Sequence, residues 1–213
     1  MSTGLEIISL INGSIEIILL IKQIYDTIKT FDGLPKAFDE VNEQLPLVHD
    51  SLTRAKGGVS QLDTTAKTSV EKMLQQCEKK ARELLTIFEA LKQAQGHSIK
   101  NIYTRVVLTI GKRGRVEDLM KDILSNIQKL SQNKVFQLAD QVDNLQRALD
   151  RLSQVVPSIA DSEMESMFGS TGPQQIGDNN VQNWAAGDGD AFHVTGGTVN
   201  KGETFSQTNH YGK

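Results

Sequence analysis

The chain has 213 residues, a net charge of −3 at pH 7 and only 5% aromatic residues. This length suits one ordinary domain followed by a tail, and the charge balance gives no sign of a nucleic-acid partner. The single cysteine, Cys77, excludes a disulfide within the chain and fits a reducing, cytosolic compartment. Because aromatic residues are scarce, we expect a core built from Leu, Ile and Val.

The segment from Met1 to Tyr25 is the most apolar part of the chain, because its non-polar residues are nearly all Ile or Leu. A membrane span needs about 20 mostly apolar residues. Glu6, Glu16 and Asn12 interrupt this run, and a charge at the bilayer centre costs roughly 2.5 kcal/mol or more. No basic residue precedes the run and no small-residue cleavage site follows it, which argues against a signal peptide. The pattern predicts a buried bundle helix, or a helix that is core at rest and meets a membrane after a trigger.

Six helices are predicted from apolar residues that recur at steps of three and four. In chain order they cover about 4–29, 35–55, 64–95, 98–110, 119–130 and 135–155. Pro46 should kink the second helix, and Lys56-Gly57-Gly58 should form the loop after it. The expected fold is therefore all-α. A bundle of about five to six helices covers residues 1–157, an acidic linker covers 158–168, and a tail covers 169–213.

The tail is rich in Gly, Asn, Gln, Thr and Asp, and it has too few apolar residues to form a packed core alone. Short extended-favouring pieces recur between its glycines, at 179–184, 191–195 and 204–209. Asn and Gln ladders with interleaved aromatic residues are typical of stacked β-strands. The tail is predicted to be disordered alone and β-ordered in an assembly, with a plain disordered tail as the alternative. The candidate amyloid residues are Asn179, Asn180, Val181, Gln182, Asn183, Trp184, Gly187, Gly189, Phe192, Val194, Phe205 and Gln207.

Three separated motifs resemble those of one fungal family, the SesA domain. Gly33-Leu34-Pro35-Lys36-Ala37-Phe38 with Leu45-Pro46-Leu47-Val48 looks like the entry to its second helix. Gly111-Lys112-Arg113-Gly114-Arg115-Val116-Glu117-Asp118-Leu119-Met120 looks like its central turn and helix, and Pro157-Ser158 to Asp161-Ser162 resembles its exit. The resemblance covers about residues 1–165, with the motifs in the family's order.

The resemblance implies a helical domain of the kind found at the N-terminus of fungal NACHT and other P-loop NTPase receptors of the NLR type, related to HeLo and HeLo-like domains. In that group, short stand-alone proteins carry a C-terminal amyloid signalling motif. An activated receptor with a matching motif templates this tail, and the helical domain then exposes its first helix and permeabilises membranes. The segment from Asn183 to Phe192, centred on Gly187-Asp188-Gly189, is similar to the pseudo-palindromic type of motif.

The implied role is fungal programmed cell death, as in heterokaryon incompatibility, by a cytoplasmic protein that relocates to the plasma membrane. The implied partners are an NLR-type receptor with a matching motif, further copies of the tail, and membrane lipids, but no nucleic acid. The residues assigned to the membrane-active helix are Leu5, Glu6, Ile8, Ile11, Ile15, Glu16, Ile18, Leu19 and Ile24. Two alternatives stay open: a non-lytic adaptor or decoy that binds partners through helix faces, and a plain helical scaffold.

No catalytic motif is apparent, so we expect neither an enzyme nor a cofactor or metal. Gly111-Lys112-Arg113-Gly114 lacks the second glycine followed by Lys and Ser or Thr that a phosphate loop needs. The four histidines are scattered, without metal-ligand spacing. A basic cluster remains as a candidate contact for anionic lipid, or as a solvated turn. Its members are Lys100, Arg105, Lys112, Arg113 and Arg115.

Overall fold

The computed structural model describes residues 3–94, 98–136, 138–168, 182–185 and 191–194. The chain divides into two units, residues 1–168 and 169–213. The described part of the first unit contains seven α-helices, which confirms the all-α prediction with one or two helices more than expected. They are α1 Gly4–Ile28, α2 Ala37–Gly58, α3 Thr64–Lys92, α4 Ile99–Ile110, α5 Val116–Ser131, α6 Val142–Gln154 and α7 Asp161–Phe168. Three short 3-10 turns lie at Val59–Gln61, Lys134–Phe136 and Ala139–Gln141.

The core is aliphatic, as the composition predicts, and α1, α2, α3 and α5 contribute most of it. α1 packs against α2 and α3, while α5 packs against α2, α3 and α6. Isoleucines supply most of the buried face of α1, and the few buried aromatic residues lie on other elements. Phe38 is in ring contact with both Phe88 and Tyr103, at centroid distances of 5.2 and 5.3 Å.

Helix α2 extends further than the sequence suggests. Lys56-Gly57-Gly58 was predicted as a loop, and that prediction is wrong, because α2 ends only at Gly58. A β-carbon at Gly58 would lie 2.5 Å from the carbonyl oxygen of Val135. The missing side chain therefore allows the backbone before α6 to approach the end of α2. Pro46 lies inside α2, and the helix continues on both sides of it.

The predicted helix over 135–155 is wrong in its first third. Two 3-10 turns precede α6, and they place Phe136, Leu138 and Gln141 in the core. The Gln141 side chain accepts a hydrogen bond from Ser51 at 2.5 Å and donates one to Asp50. These polar contacts to α2 hold the turn geometry, and apolar spacing gives no signal for them.

The stretch 158–168, which the sequence suggests is an acidic linker, contains helix α7. Met164 is buried, and Met167 and Phe168 pack against the core as partly buried residues. This stretch therefore lies within the first unit.

In the second unit the described residues form two antiparallel strands, β1 Gln182–Ala185 and β2 Ala191–Val194. They coincide with parts of two of the extended-favouring pieces predicted in the tail. Trp184 pairs with Phe192 and Gln182 with Val194, so the register is symmetric about residue 188, the centre of the predicted pseudo-palindromic segment.

Candidate functional site

Helix α1 begins at a complete capping box. The Thr3 hydroxyl accepts a hydrogen bond from the Glu6 backbone N–H at 3.3 Å, and the Glu6 carboxylate accepts one from the Thr3 N–H at 2.8 Å. Such a box satisfies two backbone donors that the first helical turn leaves free. Glu6 therefore stabilises the first turn of α1. Glu16 is exposed, and it has no hydrogen bond or ion pair with any residue that the structure describes.

The structure divides the predicted membrane-active residues of α1 between two faces. Ile11, Ile18 and Ile24 are buried in the core. Leu5 is 79% exposed and Leu19 is 44% exposed. Ile8 and Ile15 are half-buried at the edge of the core. The prediction therefore combined core residues with outward-facing ones, which hydrophobicity alone does not separate.

Among the described residues, α1 alone is long and apolar enough to cross a membrane by length and composition. It has 25 residues, its most apolar stretch of 18 residues has a mean hydropathy of 1.9, and one third of that stretch is buried in the bundle. A core helix of a soluble protein passes the same test. In addition, α1 carries three large apolar side chains that are exposed, those of Leu5, Leu19 and Leu20.

A second polar site joins the start of α5 to the segment that leads into α7; we call it the exit cluster. It consists of Tyr103, Arg115, Glu117, Ser158 and Asp161. Glu117 is 2% exposed, and its carboxylate accepts hydrogen bonds from the Ser158 backbone N–H at 3.0 Å and the Ser158 hydroxyl at 2.7 Å. The Tyr103 hydroxyl lies 2.5 Å from the Ser158 hydroxyl and accepts a hydrogen bond from the Val116 N–H at 3.1 Å.

Arg115 supplies the cationic part of the exit cluster. Its guanidinium pairs with Asp118 at 2.8 Å and Asp161 at 2.6 Å, and it donates to the Ile159 carbonyl at 3.1 Å. Burial alone would lower the pKa of Arg115, but these carboxylates hold that pKa above its usual range. Burial also raises the pKa of the Tyr103 hydroxyl, and the nearby Glu117 carboxylate adds to the rise. Tyr103 therefore stays protonated and Arg115 stays charged at neutral pH.

The exit cluster is where the three sequence motifs meet. Phe38 from the first motif contacts the ring of Tyr103. Arg115 and Glu117 belong to the second motif and Ser158 and Asp161 to the third, 41 to 46 residues further along the chain. These residues stand in separate motifs, and nothing in the motifs predicts that they converge. Their charges are a signal of buried pairing, yet nothing in the sequence tells which carboxylate meets which cation.

Two glycines give the second motif its shape. Gly111 ends α4 with φ = +113°, a conformation that residues with side chains rarely adopt. At Gly114 a β-carbon would lie 2.9 Å from the Gly111 carbonyl oxygen. The tight turn places Arg115 directly before α5, within reach of Asp161.

The basic cluster proposed as a lipid contact is largely occupied by carboxylates. Lys100 pairs with Glu163 at 3.2 Å, and Arg113 pairs with Asp122 at 2.5 Å. Arg115 belongs to the exit cluster. These ion pairs favour the solvated-turn interpretation over a lipid-binding patch.

The predicted amyloid residues lie partly within the described part of the tail. Gln182, Asn183 and Trp184 lie in β1, and Phe192 and Val194 lie in β2. The others lie outside the described residues: Asn179, Asn180, Val181, Gly187, Gly189, Phe205 and Gln207. The amyloid assignment itself stays a prediction, as does the expectation that the chain holds no cofactor or metal.

Comparison with known proteins gives one match. No curated protein and no solved structure matches the chain. The family model described as SesA, the N-terminal domain on NACHT NTPases and P-loop NTPases, matches residues 11–130. The match contains the first two motifs and ends before the third. Because it covers more than half of the chain, the protein belongs to the SesA family.

Proposed function

We propose that this protein is a cell-death signalling protein that is switched on through its C-terminal segment and acts on membranes through α1. SesA domains belong to NLR-type NTPases, which supports a signalling role. In this proposal an NLR-type receptor with a matching motif templates residues 169–213 into a β-assembly in the cytoplasm. Many bundles are then held close together, and their weak membrane affinities add by avidity at the plasma membrane. The protein performs no catalysis and needs no cofactor.

The observation that carries the proposal is the outward face of α1. Four large hydrophobic residues are exposed among the described residues, and three of them, Leu5, Leu19 and Leu20, lie on α1. The same helix is long enough to span a bilayer. Apolar side chains on one exposed face are what a helix needs to enter the interfacial region of a membrane before any rearrangement of the core.

The test is seeded leakage. The full chain is mixed with dye-loaded vesicles that contain anionic lipid, with and without preformed fibres of a peptide that spans residues 169–213. We expect dye release only when the fibres are present. Leakage that is independent of the fibres would disprove templating, and assembly without leakage would identify a non-lytic adaptor instead.

Glu6 and Glu16 test whether the carboxylates of α1 line a pore. Glu6→Gln retains a capping-box residue type at the helix start, so its effect is not confounded by loss of the cap. If the carboxylates line a pore, Glu6→Gln and Glu16→Gln abolish leakage, whereas Glu89→Gln, on the exposed face of α3, leaves it unchanged. Leakage that survives both α1 changes would disprove the pore.

A further inference from the structure

Five residues on the outward side of α1 follow the spacing of a coiled-coil seam. Leu5, Ile8, Asn12, Ile15 and Leu19 are separated by steps of three, four, three and four. These are the a and d positions of two consecutive heptads and the first a position of a third, with Leu5, Asn12 and Leu19 at a. Leu5 and Leu19 are exposed and the other three are half-buried. We call this strip the α1 seam.

The α1 seam is additional to the face that α1 uses inside the bundle. The buried face, which includes Ile7, Ile11, Ile18 and Ile21, packs against α2 and α3. On a helix with 3.6 residues per turn the seam lies beside these residues, about 115° around the helix, and its two isoleucines also touch the edge of the core. The apolar surface of α1 is thus wider than the face that packs in the bundle, and it extends to the exposed Leu5 and Leu19.

Asn12 indicates what covers the seam. The hydrocarbon core of a membrane gives a carboxamide in the middle of an apolar strip no partner, and a purely apolar surface of another protein does the same. A second copy of α1 in parallel alignment places the two Asn12 side chains opposite each other, where each amide donates to the other. A single Asn at an a position is known to fix register and oligomeric state in this way, at some cost in stability.

We propose that the α1 seam is a self-association face at which two folded bundles pair through α1 in parallel. Ile8 and Ile15 also pack against the core, so the pairing uses the parts of the seam that the bundle leaves accessible and needs no rearrangement of the fold. The pairing uses Leu5 and Leu19, which the proposed membrane activity also uses, but it is tested without lipid.

The pairing is weak by itself. The seam is about 21 Å long at 1.5 Å per residue, and five side chains bury less than the roughly 800 Å² per partner of a standard stable interface. Pairing therefore becomes extensive only at high local concentration. In this respect the inference rests on the proposed function, in which a tail assembly gathers many bundles and supplies that concentration.

The test of pairing is sedimentation of the soluble full chain over a range of concentrations. We expect a monomer–dimer equilibrium whose midpoint moves to about tenfold higher concentration or more in Leu19→Lys, because the change places a lysine on each side of the seam. Leu20→Lys is the matched control, since Leu20 is 39% exposed but lies outside the seam; its midpoint should not change. A wild-type chain that stays monomeric, or equal effects of the two lysines, would overturn the proposal.

Cysteine cross-linking tests the direction of pairing. The native Cys77 is 1% exposed and stays out of the reaction. Oxidation should give a covalent dimer of Leu19→Cys alone and of Asn12→Cys alone, but not of Leu20→Cys. A dimer that forms only when Leu5→Cys and Leu19→Cys are mixed would show antiparallel pairing and disprove the parallel seam. Equal cross-linking of Leu20→Cys would show random collision and disprove it as well.

Discussion

The hydroxyl group of Ser158 donates a hydrogen bond to the buried carboxylate of Glu117 at 2.7 Å, across 41 residues of sequence. The Tyr103 hydroxyl lies 2.5 Å from the Ser158 hydroxyl, and it accepts a hydrogen bond from the N–H of Val116, the first residue of α5. Every polar group in this chain of contacts has a partner, and such networks are rigid when complete and costly when broken. The segment that leads into α7, and from there to the tail, is thereby fixed to α5.

Ser158→Ala should loosen this attachment. The change removes one donor from a buried carboxylate and leaves the proton of the Tyr103 hydroxyl without an acceptor, so the free energy of unfolding should fall by about 2 kcal/mol. Hydrogen exchange at residues 157–168 should rise more than exchange in α1. Ser162→Ala, at an exposed position of α7, should change stability by less than about 0.5 kcal/mol. Equal exchange rates in the two variants would show that the exit cluster does not hold this segment.

The sequence predicts the parts of the fold that local signals control. Helix α4 begins after Ser98 and ends at Ile110 as predicted, because the Ser98 hydroxyl caps the first turn and Gly111 stops the last. Asp63 caps α3 in the same way, by accepting a hydrogen bond from the Ala66 N–H at 2.8 Å. Each of these signals lies within a few residues of the helix end that it sets.

The sequence does not predict features that depend on distant partners. The Gln141 side chain lies in the core because the hydroxyl of Ser51, 90 residues earlier, donates a hydrogen bond to it. The exit cluster likewise brings Glu117 to Ser158, and only tertiary packing creates that contact. Apolar periodicity also fails on α1, where it shows a hydrophobic helix but does not separate Ile11 in the core from Leu19 at the surface.

Gly57 and Gly58 should respond in opposite ways to alanine. Both lie in the last turn of α2, where glycine costs about 0.5–1 kcal/mol relative to alanine. A β-carbon at Gly57 meets nothing within 4 Å, so Gly57→Ala should stabilise the bundle by about that amount. At Gly58 the same atom collides with backbone of Val135, so Gly58→Ala should destabilise it by about 1–3 kcal/mol. Urea denaturation of the pair measures both signs, and stabilisation by Gly58→Ala would contradict this packing.

Cys77 should be inert in the folded protein. Burial raises the pKa of its thiol to about 12, with a smaller contribution from Glu78, so almost no thiolate exists at neutral pH. The folded state favours the neutral thiol. Its contribution to stability is therefore complete below the unfolded pKa of about 8.5 and is lost as pH rises towards 12. Alkylation at pH 8 should follow global unfolding, and Cys77→Ala should weaken the loss of stability between pH 9 and 11. Rapid alkylation of the native chain would show that the thiol is accessible.

Ser14 offers a test of how firmly α1 is held. Its side chain is fully buried on the core face of α1, and its hydroxyl has no hydrogen-bond partner among the described residues. A buried hydroxyl without a partner costs about 1–3 kcal/mol. Ser14→Ala should therefore raise the free energy of unfolding by about 1 kcal/mol, and it should slow hydrogen exchange in α1.

Ser51→Ala is the matched control for this change. Ser51 is equally buried, but its hydroxyl donates to Gln141, so the same substitution should destabilise the bundle by about 1–2 kcal/mol. If release of α1 from the core precedes membrane damage, Ser14→Ala should also slow fibre-seeded leakage, because the docked helix gains stability that the released helix does not. Faster leakage from Ser14→Ala despite higher stability would show that α1 acts on membranes without leaving the core, through its outward face alone.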